Sequence, residues 1–186
     1  MFSIEKLIQS CNYLIKKNGS PLNYTKLIKL LYLADKASLK ESSQTITGDK
    51  YVSMDSGPVL SKLYDLIKGR CRQNEIQSLW DSRFIRNGYE LDIATDRIPQ
   101  GELSEFEIEI LDKIYDQFRT YDFNGMIKYA HNNCPEWKDP NHSSIPIPLK
   151  DVLKSLEKTP EEIEWILEEA ETFDEEDQVF LALAEQ

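Results

Sequence analysis

The segment YTKLIKLLYLADKASLK at 24–40 constrains the fold more than any other part of the chain. Its apolar residues are Leu27, Ile28, Leu30, Leu31, Leu33, Ala34 and Ala37. At 3.6 residues per turn they cover more than one face of a helix, and such a helix must be surrounded by other elements. We therefore expect this segment to be the central helix of a helical domain, with Asn23 as its N-cap.

Other helices are predicted around it from capping residues and apolar spacing. Ser3 precedes apolar residues at helical spacing, Ser104 and Glu107 have the spacing of a capping box, and Thr159-Pro160 reads as another helix start. Short helices are also expected at 123–132 and near the C-terminus.

A hairpin interrupts the helices. Asn87-Gly88 predicts a type I′ turn, residues 89–93 alternate as in a half-buried strand, and 80–86 would supply the partner strand. An isolated hairpin is marginal, so it must pack on the helices or gain a third strand, for which 45–52 is the candidate.

The segment YVSMDSGPVLSKLYDLIKG at 51–69 raises the question of what its Gly-Pro does. Proline is favoured in the first turn of a helix, so Pro58 is predicted to start a helix that Gly69 ends. Gly57 would permit the bend before it.

The fold class predicted is mainly α: a compact helical domain with a small antiparallel β-hairpin or three-stranded sheet packed on it. Residues 1–149 would form this core, with the hairpin around 79–94. Residues 150–186 would form acidic C-terminal helices that pack on the core or extend from it.

The charge is concentrated at the C-terminus. The net charge is −11, and residues 150–186 contain 13 acidic and 3 basic residues. This segment would repel nucleic acid and favour a basic protein partner, although a solvated acidic face is the plainer interpretation. The three dispersed cysteines and the absence of a signal peptide or a long apolar run predict a cytoplasmic protein without a membrane span.

No nucleotide loop, dinucleotide fingerprint or nucleophile elbow is present, so we expect no enzyme and no cofactor. His131, Cys134 and His142 could offer three metal ligands, but a structural zinc site normally has four. The plainer interpretation is that His131 ends its helix and Cys134 is a buried thiol, so no metal is expected.

A local group of basic residues surrounds the predicted hairpin, with Trp80 and Phe84 between them. Its members are Lys62, Lys68, Arg70, Arg72, Arg83 and Arg86. Such a pattern can bind phosphates and stack bases. The net negative charge of the chain argues against nucleic acid binding, and we expect these residues to pair with the acidic C-terminal segment instead.

Three short motifs, in this order, give a resemblance to a known family. They are YTKLIKLLYLADK, then SGPVLSKLYDLIK, then AHNNCPEW. Together they resemble the Panacea domain, also called the SocA-like antitoxin domain, over roughly residues 3–170. The residues that carry the match are Lys29, Leu30, Leu31 and Tyr32, then Gly57, Pro58, Val59 and Tyr64, then His131 and Trp137.

The resemblance implies a helical domain with a small sheet that acts as the antitoxin of a type II toxin–antitoxin pair in prokaryotes or phages. Such a protein would neutralise a toxin protein by direct binding. The alternative that the family offers is a proteolytic adaptor, which delivers a partner to a protease. The partner would then be a toxin, basic and encoded adjacently, or additionally a protease.

The family motif residues would form a scaffold or contact a partner directly, and both roles stay open. The candidate partner-binding residues lie in the acidic C-terminal segment, because interface anchors favour aromatic and apolar side chains. They are Trp165, Phe173, Glu175, Glu176, Phe180 and Leu183.

Overall fold

The structure is a computed structural model that describes residues 2–95, 97 and 100–170. Its elements are α1 (Ile4–Asn18), β1 (Leu22–Asn23), α2 (Tyr24–Ser42), β2 (Tyr51–Met54), β3 (Gly57–Leu60), α3 (Ser61–Lys68), α4 (Asn74–Asp81), β4 (Phe84–Asn87), β5 (Glu90–Ile93), α5 (Glu105–Phe118), α6 (Phe123–Asn133), β6 (Ile145–Ile147) and α7 (Leu149–Ser155). An eighth helix, α8, covers 160–170.

Helix α2 lies at the centre, as its apolar pattern predicts. It packs against α1, α5 and α6 and against strand β3, and most of its side chains are buried. Asn23 caps it, because its Oδ1 accepts from the backbone N–H of Thr25 at 2.9 Å. The mainly α fold class is confirmed.

Two three-stranded antiparallel sheets flank the helices, with strand orders β1-β5-β4 and β3-β2-β6. The first contains the predicted hairpin, and Leu22 of β1 pairs with Leu91 of β5. The second joins distant parts of the chain, since Tyr51 of β2 pairs with Leu60 of β3 on one side and Ile147 of β6 on the other.

The prediction that Pro58 starts a helix is wrong. Residues 57–60 are strand β3, in which Pro58 lies opposite Ser53 of β2, and α3 begins only at Ser61. Asp49 supplies the N-terminal cap of α3 from a distance. Its carboxylate accepts from the backbone N–H of Lys62 at 3.0 Å and of Leu63 at 2.9 Å.

The hairpin is real, but three of its predicted details are wrong. The first part of the segment predicted as a strand is helix α4, and the strand itself begins at Phe84. The third strand is β1 rather than residues 45–52, because β2 belongs to the other sheet. Asn87 pairs with Glu90, so Gly88 and Tyr89 form the turn. Only Gly88 has positive φ there, at 61°, which fits type II′ rather than I′.

Several predicted helix starts are confirmed by their capping contacts. Ser3 Oγ accepts from the backbone N–H of Lys6, and Ser104 and Glu107 form a complete capping box. Thr159 and Glu162 make the same reciprocal pair at the start of α8. Helices α7 and α8 belong to the common core, to which they contribute Val152, Leu153, Ile163 and Ile166.

Candidate functional site

The polar side chains of α2 mark the most unusual part of the core. Lys29, Tyr32, Asp35 and Lys36 are all buried, with exposed fractions of 1%, 0%, 0% and 8%. Burying charged groups is costly unless each finds a partner. Each of the four contacts a segment far away in sequence, so together they define how the domain is assembled.

Lys29 explains the Gly-Pro dipeptide. Its Nζ donates to the carbonyl oxygen of Pro58 at 2.5 Å. Gly57 has φ of +96°, and a Cβ there would lie 3.2 Å from Lys29 Nζ and 3.4 Å from the Cβ of Ala130. Glycine is therefore required both by the backbone conformation and by the close passage of the lysine. Burial lowers the pKa of Lys29 to about 7, against a smaller opposing effect of Cys134.

Asp35 organises the loop before β2. Its Oδ1 accepts from the backbone N–H groups of Ile46 and Thr47, both at 2.9 Å. Its Oδ2 accepts from the Thr47 hydroxyl at 2.5 Å and the Tyr51 hydroxyl at 3.1 Å. Burial raises the pKa of Asp35 to about 6, although these hydrogen bonds oppose the rise.

Glu136 ties the segment after α6 to α2. Its side chain is fully buried, and its Oε1 accepts from Lys36 Nζ at 2.6 Å and from the Tyr32 hydroxyl. Its Oε2 has no hydrogen-bond partner among the described residues. Tyr32 also packs edge-on against Tyr51, with ring centroids 5.2 Å apart, so this pair reaches strand β2 as well.

His131 and Trp137 extend the same arrangement to the β2–β3 hairpin. Their rings stack with centroids 4.1 Å apart. The Trp137 Nε1 donates to the carbonyl oxygen of Met54 at 2.9 Å, and the backbone N–H of Lys138 donates to Ser53 Oγ at 3.2 Å. The late His and Trp of the motif thus fix the polypeptide that follows α6 onto the Gly-Pro hairpin.

Most family motif residues therefore lie inside the protein. Lys29, Leu30, Tyr32, Gly57, Pro58 and Val59 are buried. Tyr64, His131 and Trp137 are partly exposed, and Tyr64 packs beside Lys68, whose Nζ lies 5.5 Å from its ring centre. This geometry favours the scaffold role for the buried six, while contact with a partner stays a prediction for the other three.

The three suggested metal ligands have separate environments. His131 stacks on Trp137, Cys134 is buried, and His142 Nδ1 lies 2.9 Å from Asp55 Oδ2 on the surface. Within 2–95, 97 and 100–170, no group of three or more His, Cys, Asp or Glu side chains could hold a metal ion. Burial raises the pKa of Cys134 to about 11, which disfavours the thiolate that a metal would need.

Two of the six basic residues, Lys68 and Arg86, lie at a cleft rather than beside a stacking platform. Trp80 and Phe84 are 2% and 4% exposed, so they cannot stack on bases. They line a cleft of about 160 Å³ between α3, α4 and the β4–β5 hairpin, together with Leu66 and Leu91. Lys68 and Arg86 also line it.

Trp165 is the candidate partner-binding residue that the structure describes. It is 51% exposed on α8, while Ile163 and Ile166 of the same helix are buried. Phe173, Glu175, Glu176, Phe180 and Leu183 lie outside the described residues.

The buried acids Asp35, Asp49 and Glu136 organise the fold, although the sequence motifs did not predict this role. Adjacent residues such as Asp35 and Lys36 do not face each other on a helix, so their proximity in sequence does not indicate a joint site. The available signal was the presence of Lys29, Asp35 and Lys36 on a helix that is otherwise apolar on most faces, because buried charges require partners.

A comparison with protein families assigns the chain. The model of the family described as "Antitoxin SocA-like, Panacea domain" matches residues 27–138, which is more than half of the chain. The chain therefore belongs to the SocA-like antitoxin family, as its motifs predict, and the match covers α2 through Trp137. No curated protein and no solved structure matches it significantly. No helix within the described residues has the length and apolar character to cross a membrane.

Proposed function

We propose that this protein is the antitoxin of a type II toxin–antitoxin system and neutralises a protein toxin in the cytoplasm by direct binding. Membership of the SocA-like family supports the antitoxin role. The toxin is proposed to be basic and encoded beside this gene, because the acidic C-terminal segment would attract a basic surface. The protein acts by binding rather than by catalysis.

The observation that carries the proposal is the two-sided character of α8. One side holds Ile163 and Ile166 in the core. The other exposes Trp165 beside the exposed acids Glu161 and Glu164. A half-exposed tryptophan can act as an interface anchor, and surrounding carboxylates can accelerate the approach of a basic partner.

Helix α5 offers a matched control for this surface. Its first turns expose Phe106, 36% accessible, beside the exposed acids Glu105 and Glu109. Like Trp165, Phe106 is therefore an exposed aromatic ring beside two exposed carboxylates on a helix that packs on the core. The two surfaces have the same chemistry, but only the one on α8 directly precedes the acidic residues 171–186.

The experiment compares two triple variants in cells that express the adjacent gene product. Trp165→Ala with Glu161→Lys and Glu164→Lys should lower copurification of that product at least tenfold and abolish protection of growth. Phe106→Ala with Glu105→Lys and Glu109→Lys should leave both unchanged. Equal effects of the two variants, or no effect of the first, would contradict binding at α8.

The adaptor alternative gives a different result in the same cells. An adaptor would lower the amount of the partner, and the loss would disappear in a strain that lacks the responsible protease. Neutralisation by binding leaves the partner present in a stable complex in both strains. Immunoblotting of the partner in the two strains therefore separates the alternatives.

A further inference from the structure

We infer that the cleft between α3, α4 and the β4–β5 hairpin binds residues 171–186 of the same chain. A phenylalanine ring would occupy the cleft, and carboxylates would lie on its rim. This inference concerns the isolated protein and does not depend on the proposed toxin. The hairpin cleft, as we call it, is defined by Leu66, Trp80, Phe84 and Leu91, with Lys68 and Arg86 at its edge.

The size and walls of the hairpin cleft suit one aromatic ring. Its volume is about 160 Å³. An apolar protein cavity of about 150 Å³ is large enough to take up benzene. Trp80 and Phe84, whose ring centroids are 4.4 Å apart, contribute apolar atoms to the wall of the cleft, so a ring that enters it would remove part of its own apolar surface from water.

The charges at the cleft favour an acidic occupant. Lys68 and Arg86 line it, and the acid at its edge, Asp81, already accepts a hydrogen bond from Gln77 Nε2 at 2.9 Å. Lys68 Nζ is oriented by the Tyr24 hydroxyl at 2.5 Å and lies 4.5 Å from the Tyr24 ring centre. The hydrogen bond and the ring contact therefore hold the Lys68 side chain at the edge of the cleft.

Residues 171–186 have the complementary sequence, ETFDEEDQVFLALAEQ. They contain six acids and no base, and Phe173 and Phe180 lie on either side of the acidic run at 174–177. An aromatic ring in the hairpin cleft would place neighbouring carboxylates near Lys68 and Arg86. Partly desolvated ion pairs and burial of the ring would then act together.

The chain is long enough for this contact. Lys158, just before α8, lies 3.4 Å from Ser43 Oγ at the C-terminal end of α2, whereas Lys68 contacts Tyr24 at the other end. Helix α2 has 19 residues and is therefore about 28 Å long. Ten extended residues, from Glu171 to Phe180, span about 33 Å, so Phe180 can reach the cleft from the end of α8 even if the segment must pass along the whole of α2.

The test is zero-length carbodiimide crosslinking of the full-length protein, which joins a lysine amine to a carboxylate. An equal mixture of ¹⁴N- and ¹⁵N-labelled protein separates links within one chain from links between two. We expect a dominant link between Lys68 and 174–177 that contains a single isotope. Arg86→Glu should reduce it at least fivefold, whereas Lys128→Glu, an exposed lysine on α6, should leave it unchanged.

The phenylalanines test the apolar part of the contact. Phe173→Ala with Phe180→Ala should reduce the Lys68 link at least threefold at 0.3 M salt, where charge attraction alone is weakened. The inference is overturned if 174–177 crosslink to no particular lysine, or if the Lys68 link contains mixed isotopes and so joins two copies. It is also overturned if Lys128→Glu reduces the link as strongly as Arg86→Glu, or if the double phenylalanine variant does not reduce it.

Discussion

At the scale of single residues, the Gly-Pro dipeptide is best understood through a side chain that comes 28 positions earlier. Lys29 crosses Gly57 to reach the Pro58 carbonyl oxygen, and the glycine has both positive φ and too little space for a Cβ. The family motif residues Lys29, Gly57 and Pro58 therefore form an internal contact between α2 and β3. Lys29 and Gly57 belong together physically although they are far apart in sequence.

Replacing Gly57 by alanine tests this contact. The positive φ alone costs about 1–2 kcal/mol for a residue with a Cβ, and displacing the buried lysine should raise the loss of unfolding free energy to about 3 kcal/mol. Gly88→Ala is the matched control, since Gly88 has φ of 61° but nothing within 4 Å of an added Cβ. Urea unfolding should show a clearly larger loss of unfolding free energy for Gly57→Ala than for Gly88→Ala. Equal losses would show that the contact with Lys29 is not what requires glycine at 57.

The buried pair of Lys36 and Glu136 should be far more important than a surface pair. Glu136→Gln leaves the buried ammonium without its counter-charge, and we expect a loss of about 3 kcal/mol or more in unfolding free energy. Glu41→Gln breaks the exposed pair with Lys113, whose side chains are 43% and 66% accessible, and should cost less than about 1 kcal/mol. Similar losses in urea unfolding would show that Lys36 is solvated.

Lys29 also predicts a pH dependence. Burial lowers its pKa from 10.5 to about 7, so between these values the unfolded chain binds more protons than the folded one. Stability due to this group therefore rises with pH over that window, by at most about 1.4 kcal/mol per pH unit. Unfolding free energies at pH 7.5 and 9 should differ by less in Lys29→Met than in the wild type. An unchanged pH dependence would mean that Lys29 keeps its ordinary pKa in the folded protein.

At the scale of elements, the sequence predicts a helix correctly where the helix depends on residues close to one another in the chain. The caps at Ser3, Asn23 and Ser104 and the apolar pattern of α2 identify helices because the contacts lie within four residues. The Gly-Pro segment failed for the opposite reason. Its backbone is paired with β2, and β2 is paired in turn with β6, about 90 residues later in the chain. No local pattern around Pro58 contains that information.

The remote cap of α3 gives a prediction at this scale. Asp49 accepts from three backbone N–H groups, those of Lys50, Lys62 and Leu63, so it closes both the loop before β2 and the start of α3. Asp49→Ala should cost about 2 kcal/mol in unfolding free energy, at the upper end for a cap, and should increase amide hydrogen exchange at 62–64. Ser104→Ala, which removes a local cap, should cost about 1 kcal/mol. Unchanged exchange at 62–64 would contradict the remote cap.

At the scale of the whole molecule, the buried polar contacts made by four side chains of α2 lie within the part of the chain that the family model matches. Lys29, Tyr32, Asp35 and Lys36 draw the β2–β3 hairpin and the segment around Glu136 onto one helix. The sequence could reveal the family because the three motifs lie largely within residues 27–138, which the family model matches. It could not reveal the partner, because the exposed Trp165 lies outside that range.

Direct binding can be tested by titrating the purified toxin with the purified protein, in a reaction without any protease, while the activity of the toxin is recorded. Direct neutralisation predicts complete inhibition at a fixed molar ratio, and weaker inhibition by the triple variant at Trp165, Glu161 and Glu164 than by the matched α5 variant. A toxin that stays fully active at a large excess of this protein would contradict the account.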